Sequence, residues 1–238
     1  RNFTHNAWIS DDGQTLFTTD EKSNAWIAAY DVSDLSNIRE LDRYRTPTPN
    51  TIPHNTHTHK DYQVISYYTA GVVIVAGQRP ANLVEVGRYD TSPTFNATSG
   101  FEGNWGAYPY LPSGLLLVSD RQTGLHVLQP NYQRACWLEG TITDQATGTA
   151  LFGTRVELLN TIIDEQTQLM GDYKVGLATA GTYQVRYSKY GYYPQTLTVA
   201  LTNGVLTLQD VQLVPVPTVN FTFPDVHGNL KAFLSKPY

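Results

Sequence analysis

The chain has 238 residues, a net charge of −5 and charged side chains at only 16% of positions, against a usual ~25%. That length allows one large domain or two smaller ones, either able to bury a sizeable core. The acidic balance excludes a protein built to grip nucleic-acid phosphates, and 12% aromatics, led by 16 tyrosines, exclude intrinsic disorder.

One cysteine, Cys136, leaves no partner for an intrachain disulfide. The longest apolar or glycine run, about Ala70–Gly77, falls far short of the ~20 residues that span a bilayer. Few charges with many Tyr, Thr and Gly residues suit an all-β, extracellular type of surface. The sequence opens at Arg1 rather than Met, so a cleaved or missing upstream segment is expected. Glycosylation-type triplets begin at Asn2, Asn96 and Asn220 and matter only in a eukaryotic secretory host.

In chain order, three segments of the first half align. The first runs through Thr4–Ile9, Leu16–Asp20, Ala25–Asp31 and Asn37–Tyr44. The second runs through His54–His59, Tyr62–Tyr68, Gly71–Val75 and Asn82–Tyr89, and the third through Asn104–Tyr108, Leu115–Asp120 and Gly124–Leu128. His5 lies 49 residues before His54, and Tyr44 lies 45 before Tyr89. Apolar and polar residues alternate over four to eight positions, the strand signature. Four short strands every ~40–50 residues is the size of a propeller blade. The third unit stops at Leu128, before Gln129-Pro130-Asn131, without a fourth strand. Three blades cannot close a ring of the usual ~4–8. The expected fold is therefore all-β: a partial β-propeller of about three blades over 1–132, closed by a missing N-terminal segment or a partner chain.

From Trp137 the pattern changes. Leu138–Asp144, Thr154–Leu159, Gly171–Val175, Gly181–Ser188, Gln195–Leu201 and Thr207–Leu213 read as short strands of a small β-sandwich over 133–214. Val214-Pro215-Val216-Pro217 opens a stiff linker and tail, 215–238, because each proline fixes φ.

Three groups of residues are candidates for chemistry. His5-Asn6 and His54-Asn55 each open the innermost strand of a unit, where equivalent residues converge on a central channel. Asp20 and Glu21 end the next strand, and Asp120 takes the matching place in unit three. His5, Asp20, Glu21 and His54 form a set able to hold one divalent metal ion, or else fill the channel with hydrogen bonds. His57-Thr58-His59-Lys60-Asp61 copies the opening of metallo-β-lactamase-type hydrolases, but Tyr62 stands where the next histidine should be. An exposed strand-to-turn segment is expected there, and His126 and His227 stand alone. The aromatics Trp8, Trp26, Trp105, Tyr67, Tyr68, Tyr108 and Tyr110 either pack between units or offer faces to a sugar. Trp105 and Tyr108, in a Gly-rich passage, are the expected ligand contacts. No nucleophile elbow or phosphate loop occurs, no catalytic residue is assigned, and Cys136 reads as a small buried apolar residue.

The first half resembles the LVIVD-repeat propellers of exported bacterial surface proteins, in particular their choice-of-anchor B branch. Gly71–Val75, Pro80–Gly87, Tyr30–Ser36, His5–Trp8 with Thr19–Glu21, and Trp105–Asp120 carry the likeness. It departs at Ala76–Arg79, where the repeat has an Asp-Val-Ser-Asp-like turn. The second half is similar to the carboxypeptidase regulatory-like (transthyretin-like) domain, through Gly140–Asp144, Gly153–Val156, Gly171–Tyr173, Ala180–Tyr183 and Gly191-Tyr192. The resemblance implies a non-catalytic, exported or cell-surface binding or scaffold protein, with a cell-envelope protein or glycan as partner. The alternatives are a metal-dependent hydrolase with its site in the channel, and a structural subunit of an outer-surface assembly.

Overall fold

The computed structural model describes residues 3–95 and 100–217. Asn2, the Asn96 triplet, Asn220, His227 and the tail beyond Pro217 lie outside the described residues. Those described are strands and turns with one short 3-10 turn at Pro93–Phe95. None of them forms a helix long and apolar enough to cross a membrane.

The first half folds into three consecutive antiparallel meanders, each a sheet of its own. The first is β1 (Thr4–Ile9), β2 (Thr15–Asp20), β3 (Ile27–Asp31) and β4 (Arg39–Tyr44). The second is β5 (Thr56–His59), β6 (Tyr62–Ser66), β7 (Val72–Ala76) and β8 (Val84–Tyr89). The third has three strands only, β9 (Asn104–Tyr108), β10 (Leu116–Asp120) and β11 (Gly124–Leu128). These sheets do not close on one another into a ring.

The repeat extends to the irregularities. The β3–β4 ladder slips between Ala29 and Tyr30, and the β7–β8 ladder slips 45 residues later, between Ile74 and Val75. On the inner strands, Thr4 opposes Asp20 and Asn6 opposes Thr19, which leaves His5 as an extra, bulged residue. Asn104 opposes Asp120 and Gly106 opposes Ser119, which bulges Trp105 at the corresponding place. In the second meander Ser66 bonds to both His54 and Asn55 at 2.8 Å, again two residues against one. Such bulges re-aim a side chain.

The second meander is the centre of the molecule. Both faces of β6 and β7 are buried, which is why Val72-Val73-Ile74-Val75-Ala76 reads as a continuous apolar run. On one side Ile65, Tyr67, Val73 and Val75 pack on Phe17, Ile27 and Ala29. On the other, Val64 and Val72 pack on Ala107, Leu116 and Val118.

The second half is two facing sheets. One has β12 (Cys136–Asp144) at its centre, flanked by β15 (Asp172–Leu177) and by the parallel pair β18 (Leu206–Leu208) and β19 (Val211–Leu213). The other runs β14 (Asp164–Gln166), β13 (Arg155–Leu158), β16 (Gly181–Ser188), β17 (Gln195–Leu201). Alternation sets the core: Val185 and Tyr187 of β16 point in with Val199 and Leu201 of β17, against Leu138, Ile142, Tyr173 and Val175. The single strand expected over Thr207–Leu213 is two. The close approach of the Gln209 carbonyl leaves no room for a Cβ at Gly140, and Asp210 there accepts from the Thr141 N–H at 2.7 Å.

The two halves share a core. Tyr62, Ile74, Ala76, Val84 and Val86 cluster with Ala135 and Trp137, and Trp137 Nε1 donates to the Asn82 carbonyl at 3.1 Å. Around it Arg79 meets Glu139 at 3.0 Å and Lys174 meets Asp42 at 2.8 Å. A cleft of about 1500 Å³ runs beside this junction, between β4 and β8 on one wall and β14 and β15 on the other.

Candidate functional site

The three bulges bring three rings together. His5 and His54 stack with centroids 4.6 Å apart and planes 26° apart, and His54 and Trp105 stack at 5.2 Å and 26°. Each ring comes from a different meander, so the stack is built by the repeat itself. Below it Glu21, just past β2, reaches up. Its Oε2 lies 3.2 Å from His5 Nδ1 and its Oε1 lies 3.7 Å from His54 Nε2. One ligand atom from each of His5, Glu21 and His54 fits within a 4.8 Å span.

Two groups hold this set in place. His54 Nδ1 lies 2.6 Å from the Trp105 carbonyl, which can only accept, so Nδ1 carries the hydrogen and Nε2 presents a lone pair in the neutral ring. Burial lowers the His54 pKa from its ordinary value, and nearby His5 adds to this; the Trp105 carbonyl and Glu21 oppose it without reversing it. The Tyr68 hydroxyl donates to Glu21 Oε1 at 2.6 Å, and burial, followed by that bond to the carboxylate, pushes the phenol's pKa up. Tyr68 stands at φ 33°, a left-handed conformation that costs a bulky residue ~1–3 kcal/mol. Its carbonyl accepts from Asn104 N–H at 3.0 Å. Gly103, at φ +90°, passes so close that a Cβ there would lie 2.5 Å from the Tyr68 oxygen.

Of the four metal candidates, His5, Glu21 and His54 converge and Asp20 stands apart. Asp20 Oδ1 accepts from Thr4 Oγ1 at 2.9 Å. Its counterpart Asp120 is also a hydrogen-bond acceptor, receiving Thr91 and Ser92 hydroxyls at 2.6 Å and the Gln122 and Thr123 N–H groups at 2.8 and 2.9 Å. Burial would raise the Asp120 pKa, but these bonds prevail and hold it at about 2.

His57 and His59 do not form a second cation set. Facing the same way from β5, they enter an aromatic row: His57 lies 4.7 Å from Trp8, and His59 lies 5.9 Å from Tyr110 and 5.2 Å from Tyr132. Of the expected ligand contacts, Trp105 is 48% exposed while stacking on His54. Tyr108 is exposed and lines an open groove of about 310 Å³ with His57, Leu117 and Leu125. Tyr67 is fully buried packing, and Trp26 lies under the Arg45 guanidinium at 4.5 Å. Sequence reasoning missed Tyr68 as a partner of Glu21. It also took Trp105 for its ring alone, when its carbonyl matters as much.

Residues 138–214 match the model of the carboxypeptidase regulatory-like domain, so the second half carries that domain. No curated protein matches the sequence. Among solved structures, the chain is similar to the minor pilin GBS52 of Streptococcus agalactiae at 14% identity and a TM-score of 0.30, over 49% of this chain and 66% of the pilin. It is similar to the Bacillus anthracis TIE protein at 13% identity and 0.30, over 84% of this chain and 45% of the other. It is similar to a streptococcal ancillary pilin at 13% and 0.27, over 82% of each chain. The chain thus spans less than two thirds of the length of the first two.

Proposed function

We propose that this protein is a non-catalytic, exported or cell-surface binding and scaffold protein. In this reading residues 1–132 are part of an LVIVD-type propeller, 133–214 a docking or spacer sandwich, and 215–238 a linker and tail. The propeller part is completed by another segment of the same polypeptide or by a second polypeptide. Trp105 and Tyr108 contribute to its ligand face.

The observation that carries this is the open edge of β11. Two meanders have four strands and the third has three, and among the described residues β11 pairs with β10 alone. Sheet edges are usually blunted by lysine, proline or a bulge. Gly124-Leu125-His126-Val127-Leu128 has none of these and exposes Leu125 and Val127 at 66% and 56%. A strand laid along it would pair its free backbone groups and set its own side chains beside Leu125 and Val127. Low charge and the single buried cysteine suit an exported all-β chain.

A photo-crosslinking residue at Leu125, introduced in the producing cell, tests this. The expected product joins β11 to an extended segment, with slow amide exchange over 124–128 in the assembled protein. A chain that isolates as a lone monomer, without crosslink and with fast exchange at β11, refutes it.

A further inference from the structure

We propose that His5, Glu21 and His54 bind a divalent transition-metal ion of the zinc class, which ties the first meander to the second and leaves a coordination position open to solvent. This goes beyond the scaffold reading and does not depend on how β11 is completed.

The geometry carries the argument. A tetrahedral zinc ion with bonds of ~2.0–2.1 Å has ligand atoms about 3.3 Å apart. Glu21 Oε2 stands 3.2 Å from His5 Nδ1 and Glu21 Oε1 stands 3.7 Å from His54 Nε2, so the carboxylate meets each ring near that spacing with a different oxygen. One ligand atom from each of the three residues lies within a 4.8 Å span that a bound ion would draw in. The donors are two imidazoles and one carboxylate. Such a set suits zinc, cobalt or nickel, whereas magnesium and calcium prefer oxygen alone and thiolate-seeking ions find no sulfur here.

The surroundings are those of a metal ligand set. A ligating histidine commonly donates its other N–H to a backbone carbonyl, which fixes tautomer and ring orientation. His54 does this to Trp105 at 2.6 Å. The ligating carboxylate is itself commonly hydrogen-bonded, as Glu21 is by Tyr68 at 2.6 Å. With Nδ1 committed, the His54 Nε2 lone pair faces Glu21 Oε1 with no hydrogen of its own to share, and a cation between them removes that conflict. The His5 side chain, at 35% exposure, leaves one side of the set facing water, beside the exposed rings of Trp105 and Phe101.

The test is calorimetric titration of the tag-free, chelator-treated full chain with Zn²⁺, with Co²⁺ absorption as a second readout. The expected result is one ion per chain at a Kd of micromolar or below, a raised Tm, and visible cobalt bands of a nitrogen–oxygen site. Glu21→Gln, nearly isosteric, and His54→Ala are each expected to weaken binding at least tenfold. Absence of saturable one-to-one binding by the wild-type chain overturns the proposal without reference to any variant's fold. Equal binding by wild type and both variants also overturns it. In either case the cluster is a close His5–Glu21 pair whose imidazole stacks on His54.

Discussion

Replacing Asp120 with asparagine is expected to cost about 2 kcal/mol of stability at neutral pH. The carboxylate is buried at 6% exposure and takes two hydroxyl and two backbone donors. Those bonds tie the Thr91-Ser92 segment to the turn between β10 and β11. Asparagine keeps one acceptor oxygen, sets an NH₂ against two donors, and removes the charge that strengthens all four bonds. The pKa leads to the same size of effect. A drop from the ordinary 3.8 to about 2 corresponds to about 2 kcal/mol. The folded pKa lies below the unfolded one, so this stabilisation is complete above about pH 4 and fades as pH falls through 2. Urea unfolding followed by tryptophan fluorescence, at pH 7 and pH 3, measures it. The gap between wild type and Asp120→Asn should shrink by about half at pH 3, with faster amide exchange confined to 116–128. A gap equal at both pH values, or none at pH 7, refutes the argument.

Two further outcomes are expected. Trp137→Ala empties the core shared by the two halves and should cost about 3–5 kcal/mol, with protease sensitivity rising on both sides of residues 129–135; destabilisation confined to the sandwich would count against a shared core. Cys136 is fully buried and its thiol pKa is raised by burial, so a thiol reagent should label it only in denaturant, and rapid labelling of the native chain would contradict its placement.

The strands of the first half were legible from apolar–polar alternation bounded by turns or, in β7, from a short continuous apolar run. The expected Thr4–Ile9 and Gly124–Leu128 match β1 and β11 to the residue. The missing fourth strand of unit three was legible too, from Gln129-Pro130-Asn131. In the second half β14 escaped notice, since Asp164-Glu165-Gln166 has no apolar residue to alternate. The site was half legible. Alignment of two His-Asn pairs pointed to His5 and His54, and Glu21 stood at a strand end. What separated Glu21 from Asp20 is strand register: Asp20 lies opposite Thr4 and bonds to it, while Glu21, the next residue, is held by its N–H to the Phe3 carbonyl and aims its carboxylate at His5 and His54. The bulges at His5 and Trp105 left no mark in composition, because a one-residue slip in pairing depends on what lies opposite. Tyr68 reaches Glu21 from a turn 47 residues away, a contact that no local pattern encodes.

The pairing of β12 with β18 and β19 has a mechanical consequence. β12 is the first strand of the second half and β18 and β19 are its last two, and both run parallel to β12, β18 through Leu206–Leu208 against Trp137–Glu139 and β19 through Val211–Leu213 against Ile142–Asp144. Tension applied between the first half and the residues beyond β19 would draw these strands past each other along their length. Both registers would then bear load together instead of opening one bond after another. The domain is thereby arranged to resist stretching along the chain more strongly than peeling across it.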